Sequence, residues 1–253
     1  MIQSLKRSME ILELLRDNTH KYTIAEISAK SELPPSTVHR ILQTFCEMRY
    51  VTRDESSHTY ELGPALIPLG RSAAGNYRIQ DAALPLLKKL AFTTREDTYL
   101  VIRVGDKGLV LQKVDGPNHL KVVEEFGYEL DLHCGAIRKV LLAFQPKDYI
   151  DYYLEKCVPN PDAFPQISSR ALKVELDEIR RDGIACSYGE YVHDACGIGS
   201  PVFGPDGKIE ASVGIIVPHS RIAEKVQLDR LKKEVASCAS ELSYFLGNSL
   251  PRR

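Results

Sequence analysis

This 253-residue sequence predicts an α+β protein in two parts, and three observations carry the prediction. Near the amino terminus, the segment from Pro34 to Phe45 places Val38, Ile41, Leu42 and Phe45 within an arc of roughly 100°, the width of a buried helical stripe. Two β-prone runs follow, Tyr50-Val51-Thr52-Arg53 and His58-Thr59-Tyr60-Glu61-Leu62, separated by the polar Asp54-Glu55-Ser56-Ser57. Beyond Gly63-Pro64, strand-like runs alternate with helical ones and end in an apolar stripe at Leu228, Leu231, Val235, Cys238, Leu242 and Phe245. That order suits helices packed on an antiparallel sheet.

In the first part, Leu5, Met9, Leu12 and Leu15 recur at helical spacing and predict an amphipathic helix of three to four turns ending near Asp17-Asn18. Thr23 and Glu26 have the spacing of a capping box, in which each side chain satisfies an amide at the start of the helix. The second helix runs from there through Ile24 and Ile27 to about Lys30, and Ser31-Glu32-Leu33-Pro34 forms the turn before the third. A proline at the start of a helix removes no needed donor. Three helices, a tight turn between the second and third, and a hairpin give the order of a winged helix-turn-helix. The face of the third helix opposite its apolar stripe carries Ser36, His39, Arg40, Gln43 and Thr44, and with Thr37 these are expected to face the major groove. Such hydroxyls, amides and cations read base edges and grip phosphates in a major groove. Arg53, on the hairpin, is a candidate phosphate contact.

Residues 1–63 are therefore expected to form a DNA-binding domain, 64–76 a helical linker and 77–253 a second domain. That domain opens on a stripe of Ile79, Ala82, Ala83, Leu86, Leu87 and Leu90. Strands are expected at Thr98 to Val104, Gly108 to Val114 and Leu120 to Glu125, then helices at Cys134 to Phe144 and Lys147 to Cys157. A further helix starts at Ser169, whose hydroxyl can cap it, and stops at Gly183. Strands return at Ile184 to Tyr188, Gly199 to Phe203 and Ile209 to Val217.

Composition sets bounds on function. Hydrophobic residues at 43% and charged ones at 26% are ordinary for a globular protein. The formal charge of −1 does not by itself favour nucleic acid, so DNA contact must come from local placement, with salt-sensitive and only moderate non-specific binding. No run is long enough to span a bilayer and the start lacks a signal-peptide core, so the expectation is a cytoplasmic protein without a membrane partner. The six cysteines, Cys46, Cys134, Cys157, Cys186, Cys196 and Cys238, contain no CxxC pair, which favours free thiols.

The sequence resembles the IclR-type bacterial transcriptional regulators along nearly its whole length. The resemblance is carried in order by Leu33-Pro34-Pro35-Ser36-Thr37-Val38-His39-Arg40-Ile41-Leu42, Tyr50-Val51, Tyr60-Glu61-Leu62-Gly63, Leu132-His133-Cys134-Gly135-Ala136, Lys139 with Leu141-Leu142-Ala143, Ile179-Arg180 with Gly183, and Ser200-Pro201-Val202. It implies a winged helix-turn-helix that binds double-stranded operator DNA, a GAF-like effector-binding domain that takes a small organic acid, and assembly as a homodimer or tetramer. No cofactor is implied.

An effector site is expected in the loop at His133, Cys134, Gly135 and Ala136. Small residues at the start of a helix leave amides accessible, and the helix dipole adds positive potential there. The resemblance adds Ser187, Gly197 and Gly214 on facing strands. This sequence departs from the family's pattern in having glycine at Gly197 and Gly214 where a hydroxyl or thiol can occur, Asp131 where proline is usual and Arg138 where glycine precedes the lysine. Those departures suggest a roomier pocket that admits a larger or aromatic acid. Arg138 itself is expected on the solvated face rather than as an inward clamp. An alternative reading is a metal or redox sensor using His133, Cys134, His193 and Cys196, since imidazole and thiolate suit zinc. A cysteine-dependent enzyme is a further alternative, but no third group to orient a cysteine–histidine pair is evident. Neither catalysis nor a metal site is expected.

Overall fold

The computed structural model describes residues 2–16, 20–75, 79–118, 127–159, 165–190, 192–222 and 225–248. The chain separates into two compact units, Met1–Tyr77 and Arg78–Arg253.

In the first unit, helices α1 (Gln3–Leu14), α2 (Ile24–Ser31) and α3 (Pro35–Glu47) precede a hairpin of β1 (Val51–Asp54) and β2 (Thr59–Leu62), and α4 (Leu66–Gly75) ends the unit. The capping box closes as expected. Glu26 N–H donates to Thr23 Oγ1 at 3.4 Å, and Thr23 N–H donates back to Glu26 Oε2 at 2.8 Å. The chain enters α3 through Pro34, with Pro35 in the first turn, where no intrahelical donor is lost. Val38, Leu42 and Phe45 of α3 join Ile11, Leu15, Ile27, Leu33, Val51 and Tyr60 in one core. An isolated bridge between Tyr22 and Tyr60 ties the entry of α2 to the hairpin.

The stripe expected on α1 is only partly buried. Ile11 and Leu15 point into the core, whereas Leu5 and Met9 are 55% and 50% exposed. The apolar arc of this helix is wider than the contact its own unit supplies. The end expected near Asp17-Asn18 and position 76 of the expected linker lie outside the described residues.

The second unit opens with α5 (Ile79–Thr94) and the hairpin β3 (Thr98–Val104) and β4 (Lys107–Val114). It continues with β5 (Glu129–Asp131), α6 (Ala136–Ala143), α7 (Lys147–Lys156), α8 (Ser169–Asp182), β6 (Ala185–Tyr188), β7 (Ala195–Phe203), β8 (Ile209–Pro218) and α9 (Lys225–Phe245). The six strands form one antiparallel sheet in the order β5-β4-β3-β8-β7-β6. Side chains alternate across it as strand geometry requires. Leu100 and Ile102 join α5 and α9 in one core, while Tyr99 and Val101 join α6, α7 and α8 in the other. The sheet is thus the middle of three layers.

Two details differ from expectation. The short edge strand β5 was not anticipated, and the run expected at Leu120 to Glu125 lies outside the described residues. Ser168, not Ser169, caps α8 by accepting from Ala171 N–H at 3.1 Å; Ser169 Oγ instead donates to the Leu154 carbonyl, anchoring α8 to α7. Gly183 ends α8 in the left-handed region at φ 68°, as its position suggested.

Candidate functional sites

The geometry of α3 separates two chemistries. Val38, Leu42 and Phe45 are buried, whereas Ser36, His39, Arg40, Gln43 and Thr44 are exposed and Thr37 is half-buried. Gln43 donates to Glu47 at 3.3 Å, and Thr44 Oγ1 bonds the Arg40 carbonyl at 3.0 Å, leaving the Arg40 side chain without an ion pair among the described residues. An open groove of about 520 Å³ runs along this face, lined by Thr37, Arg40, Gln43 and Thr44 together with Ser4 and Arg7 of α1. Arg53 stands apart on β1. Its guanidinium lies 2.9 Å from His58 Nδ1 and 3.4 Å from Glu55, so part of its charge is already answered.

In the second unit, two glycines, Gly199 and Gly214, let the first turn of α6 approach the sheet closely. A Cβ on Gly199 would lie 2.7 Å from Ile137 Cα and one on Gly214 2.4 Å from Ile137 Cγ1, whereas one on Gly197 would meet Ala136 Cβ at an ordinary 3.5 Å and crowd Ser187 Oγ at 2.8 Å. Gly135 precedes the helix at φ 77°, a left-handed conformation that a side chain would strain. Around this turn lies a small cavity lined by Gly135, Ala136, Ile137, Arg138, Ser187, Glu190, Val192, Ala195, Gly197 and Ile216. Of the expected site residues, it gathers Gly135, Ala136, Ser187 and Gly197. His133 and Cys134 are buried but outside the lining, and Gly214 serves as the floor under Ile137.

The amides at the start of α6, expected to be unpaired, are both satisfied by the chain. Ala136 N–H donates to Ser187 Oγ at 2.9 Å, and Gly135 N–H donates to Glu190 Oε2 at 3.1 Å. The other oxygen of Glu190 accepts from Lys139 Nζ at 2.6 Å, and Lys139 also pairs with Glu175. Lys139 is only 1% exposed, so its charge is compensated almost wholly by these two carboxylates. The free volume is about 20 Å³, room for about one water and less than a carboxylic acid needs. The cavity beside Glu190 is thus small.

Arg138 also departs from expectation. It is 2% exposed, and its Nε donates to the Gly108 carbonyl at 3.3 Å. A Cβ on Gly108 would lie 2.8 Å from Arg138 Cγ, so that glycine makes room for the arginine stem along β4. Periodicity along α6 could not reveal this, because the helix is buried along its whole length.

His133 sits behind the lining with Nδ1 2.9 Å from the Tyr153 hydroxyl. Burial pushes its pKa below the ordinary value, opposed by Asp131 and the Pro165 carbonyl. The unfolded imidazole then takes up a proton more readily than the folded one. The stability this contributes is fully present above the unfolded value near ~6.5 and falls as pH drops towards the folded pKa. Urea denaturation from pH 7.5 down to pH 5 should show His133→Gln losing less stability than wild type; equal slopes would contradict the assignment.

The four residues of the metal or redox alternative do not converge on exposed chemistry. His193 is exposed, His133 is sealed against Tyr153, and burial raises the Cys196 thiol to about 12. Among the described residues, no group of three or more His, Cys, Asp or Glu side chains could hold a metal ion. Nor is any described helix long and apolar enough to cross a membrane.

A helix-turn-helix head with a polar-faced third helix, joined to a domain with a carboxylate-bearing cleft, has the architecture of a DNA-binding regulator. The family model described as "Bacterial transcriptional regulator IclR C-terminal" matches residues 71–244, and the IclR helix-turn-helix domain matches residues 4–55. The chain belongs to the IclR family of DNA-binding transcriptional regulators. It is 25% identical over 248 residues to the HTH-type transcriptional regulator KipR of Bacillus subtilis, covering 97% of each protein. It is 28% identical over 255 residues to the DNA-binding transcriptional repressor YiaJ of Escherichia coli, covering 98% of this chain and 90% of that protein. These relatives are regulators of transcription and place the chain outside the enzymes.

Among solved structures, an IclR-type regulator from Silicibacter superposes with a TM-score of 0.82 at 23% identity, covering 98% of both chains. An IclR homologue from Microbacterium hydrocarbonoxydans, solved in complex with 4-hydroxybenzoate, also gives a TM-score of 0.82, at 22% identity, covering 96% of this chain and 98% of that one.

Proposed function

We propose that this regulator reads a near-palindromic operator with the exposed face of α3 and is controlled by a small organic acid bound at the start of α6. Ser36, Thr37, His39, Arg40, Gln43 and Thr44 enter the major groove, and Arg53 touches the backbone beside it. The observation that carries the DNA reading is the division of α3 into a buried apolar face and an exposed hydrogen-bonding one. Two recognition helices related by a dimer axis require two half-sites at a fixed spacing.

For the effector, the carrying observation is the pair of amides at Gly135 and Ala136, each already holding an oxygen acceptor. A carboxylate suits those donors. Ser187 and Gly197 complete the contacts, while His133, Cys134 and Gly214 support the turn from behind. The 4-hydroxybenzoate complex of the Microbacterium homologue favours an aromatic acid within that class. A thermal-shift panel of aliphatic and aromatic acids tests the reading. An acid at about a hundredfold excess over its Kd should raise the melting temperature by roughly 5–10 °C. Ala136→Val, which adds bulk where Gly197 faces the helix, should abolish that shift; a retained shift would place the acid elsewhere.

Assembly as a homodimer or tetramer is proposed on the apolar side chains the two units leave uncovered. Leu5 and Met9 on α1 are exposed in the first unit, and Phe92 on α5 at 85% and Tyr244 and Phe245 on α9 at 74% and 67% in the second; exposed apolar patches favour contact with a second copy. Sedimentation velocity of the full chain should show a dimer or larger species. A monomer across the micromolar range would contradict this.

A further inference from the structure

We propose that Glu190 is a resident carboxylate of the ligand site, a built-in competitor that an incoming acid must displace. This rests on the effector reading above. The Glu190 carboxylate already makes the contacts expected of an acid there: one oxygen accepts from Gly135 N–H at 3.1 Å and the other from Lys139 Nζ at 2.6 Å. With it in place, the remaining space of about 20 Å³ cannot hold even a small carboxylic acid. A second anion beside it would also meet Glu175, which already shares Lys139, so like charges oppose its entry.

Exchange resolves both conflicts. When Glu190 swings out, one carboxylate replaces another, so Lys139 stays compensated and the buried charge is unchanged. The site therefore selects an acid with a single carboxylate at this end. Glu190 lies in the connection between β6 and β7, which also supplies Val192 to the lining. The base of that connection is pinned by Gly189 N–H donating to the Ala195 carbonyl at 2.9 Å, and Gly189 adopts φ 65°. Displacing Glu190 therefore cuts the ties that this connection makes to Gly135 and Lys139, so ligand entry would be felt in the segment between β6 and β7. A two-state element of this kind is what an effector needs in order to bias a distant output.

Chemical rescue of the full-length Glu190→Ala variant provides the test, with acetate and formate as probes and acetamide as the neutral control at constant ionic strength. At about a tenfold excess over Kd, acetate should raise the melting temperature of the variant by roughly 3–6 °C. Acetamide should not. Wild type should need at least ten times more acetate for the same shift, because its tethered carboxylate competes at an effective concentration in the millimolar range or higher. An unresponsive variant, or equal responses from variant and wild type, would overturn the proposal. If the variant does not fold unaided, recovery on refolding in acetate but not acetamide becomes the readout, and no recovery likewise overturns it. Acetate rescue with no response to any larger acid would support Glu190 and count against the effector reading; the reverse pattern would separate them the other way.

Discussion

Arg40→Ala is expected to weaken operator binding by about 10- to 100-fold at fixed salt, the range for losing a bidentate base contact of about 1–3 kcal/mol. Arg40 is exposed, lies in the groove along α3 and has no ion pair among the described residues, so its charge and donors are available to DNA without rearrangement. The same exposure means that the melting temperature should stay close to that of wild type. The form of the loss distinguishes two roles. A base contact would relax the sequence preference at one operator position, whereas a phosphate contact would weaken all sequences alike and lower the salt slope by about one. Arg53→Ala should cost less, because the Arg53 guanidinium is already engaged by Glu55 and His58. Fluorescence anisotropy on selected duplexes measures both variants, and unchanged affinity for Arg40→Ala would remove α3 as the reading helix.

Lys139→Met should be strongly destabilising. Methionine fills much of the same volume but leaves Glu175 and Glu190 facing each other without the cation that now bridges them. Removing one member of a buried ion pair costs about 3–5 kcal/mol, and the lower end applies here because the Glu175 side chain is 41% exposed and can turn to water. Roughly 3 kcal/mol corresponds to a fall of about 6–12 °C in melting temperature for a domain of this size. Adding Glu190→Gln to Lys139→Met should recover part of the loss by removing one of the opposed charges. Denaturant melts of the single and double variants measure this; a loss below about 1 kcal/mol, or no recovery in the double variant, would show that Lys139 is not held in place by its carboxylates.

The parts of the structure legible in the sequence are those whose cause is local. Thr23 and Glu26 are three residues apart, the two faces of α3 follow from helical geometry, and Gly183 marks a helix end with its own φ angle. The missed features depend on partners distant in sequence. Arg138 is buried because Gly108 on β4 leaves room for its stem, and nothing along α6 indicates that. Glu190 looks like one more acidic loop residue until the fold brings it to Gly135. The strand β5 has only three residues, each half-buried, and so lacks the alternation that would reveal it. The small residues at the start of α6 are plain in the sequence, but that its amides are occupied by Glu190 and Ser187 could only be learned from the opposite side of the cavity.

The central claim is that an acid at the start of α6 controls DNA binding by α3. Its most direct test is the Kd for a selected near-palindromic duplex, measured at fixed salt with and without a stabilising acid, in wild type and in Ala136→Val. The account predicts that the acid shifts the wild-type Kd by about fivefold or more, the usual scale of coupling between two sites, and leaves the Kd of the variant unchanged. An equal shift in both proteins, or none in wild type despite acid binding, would contradict it.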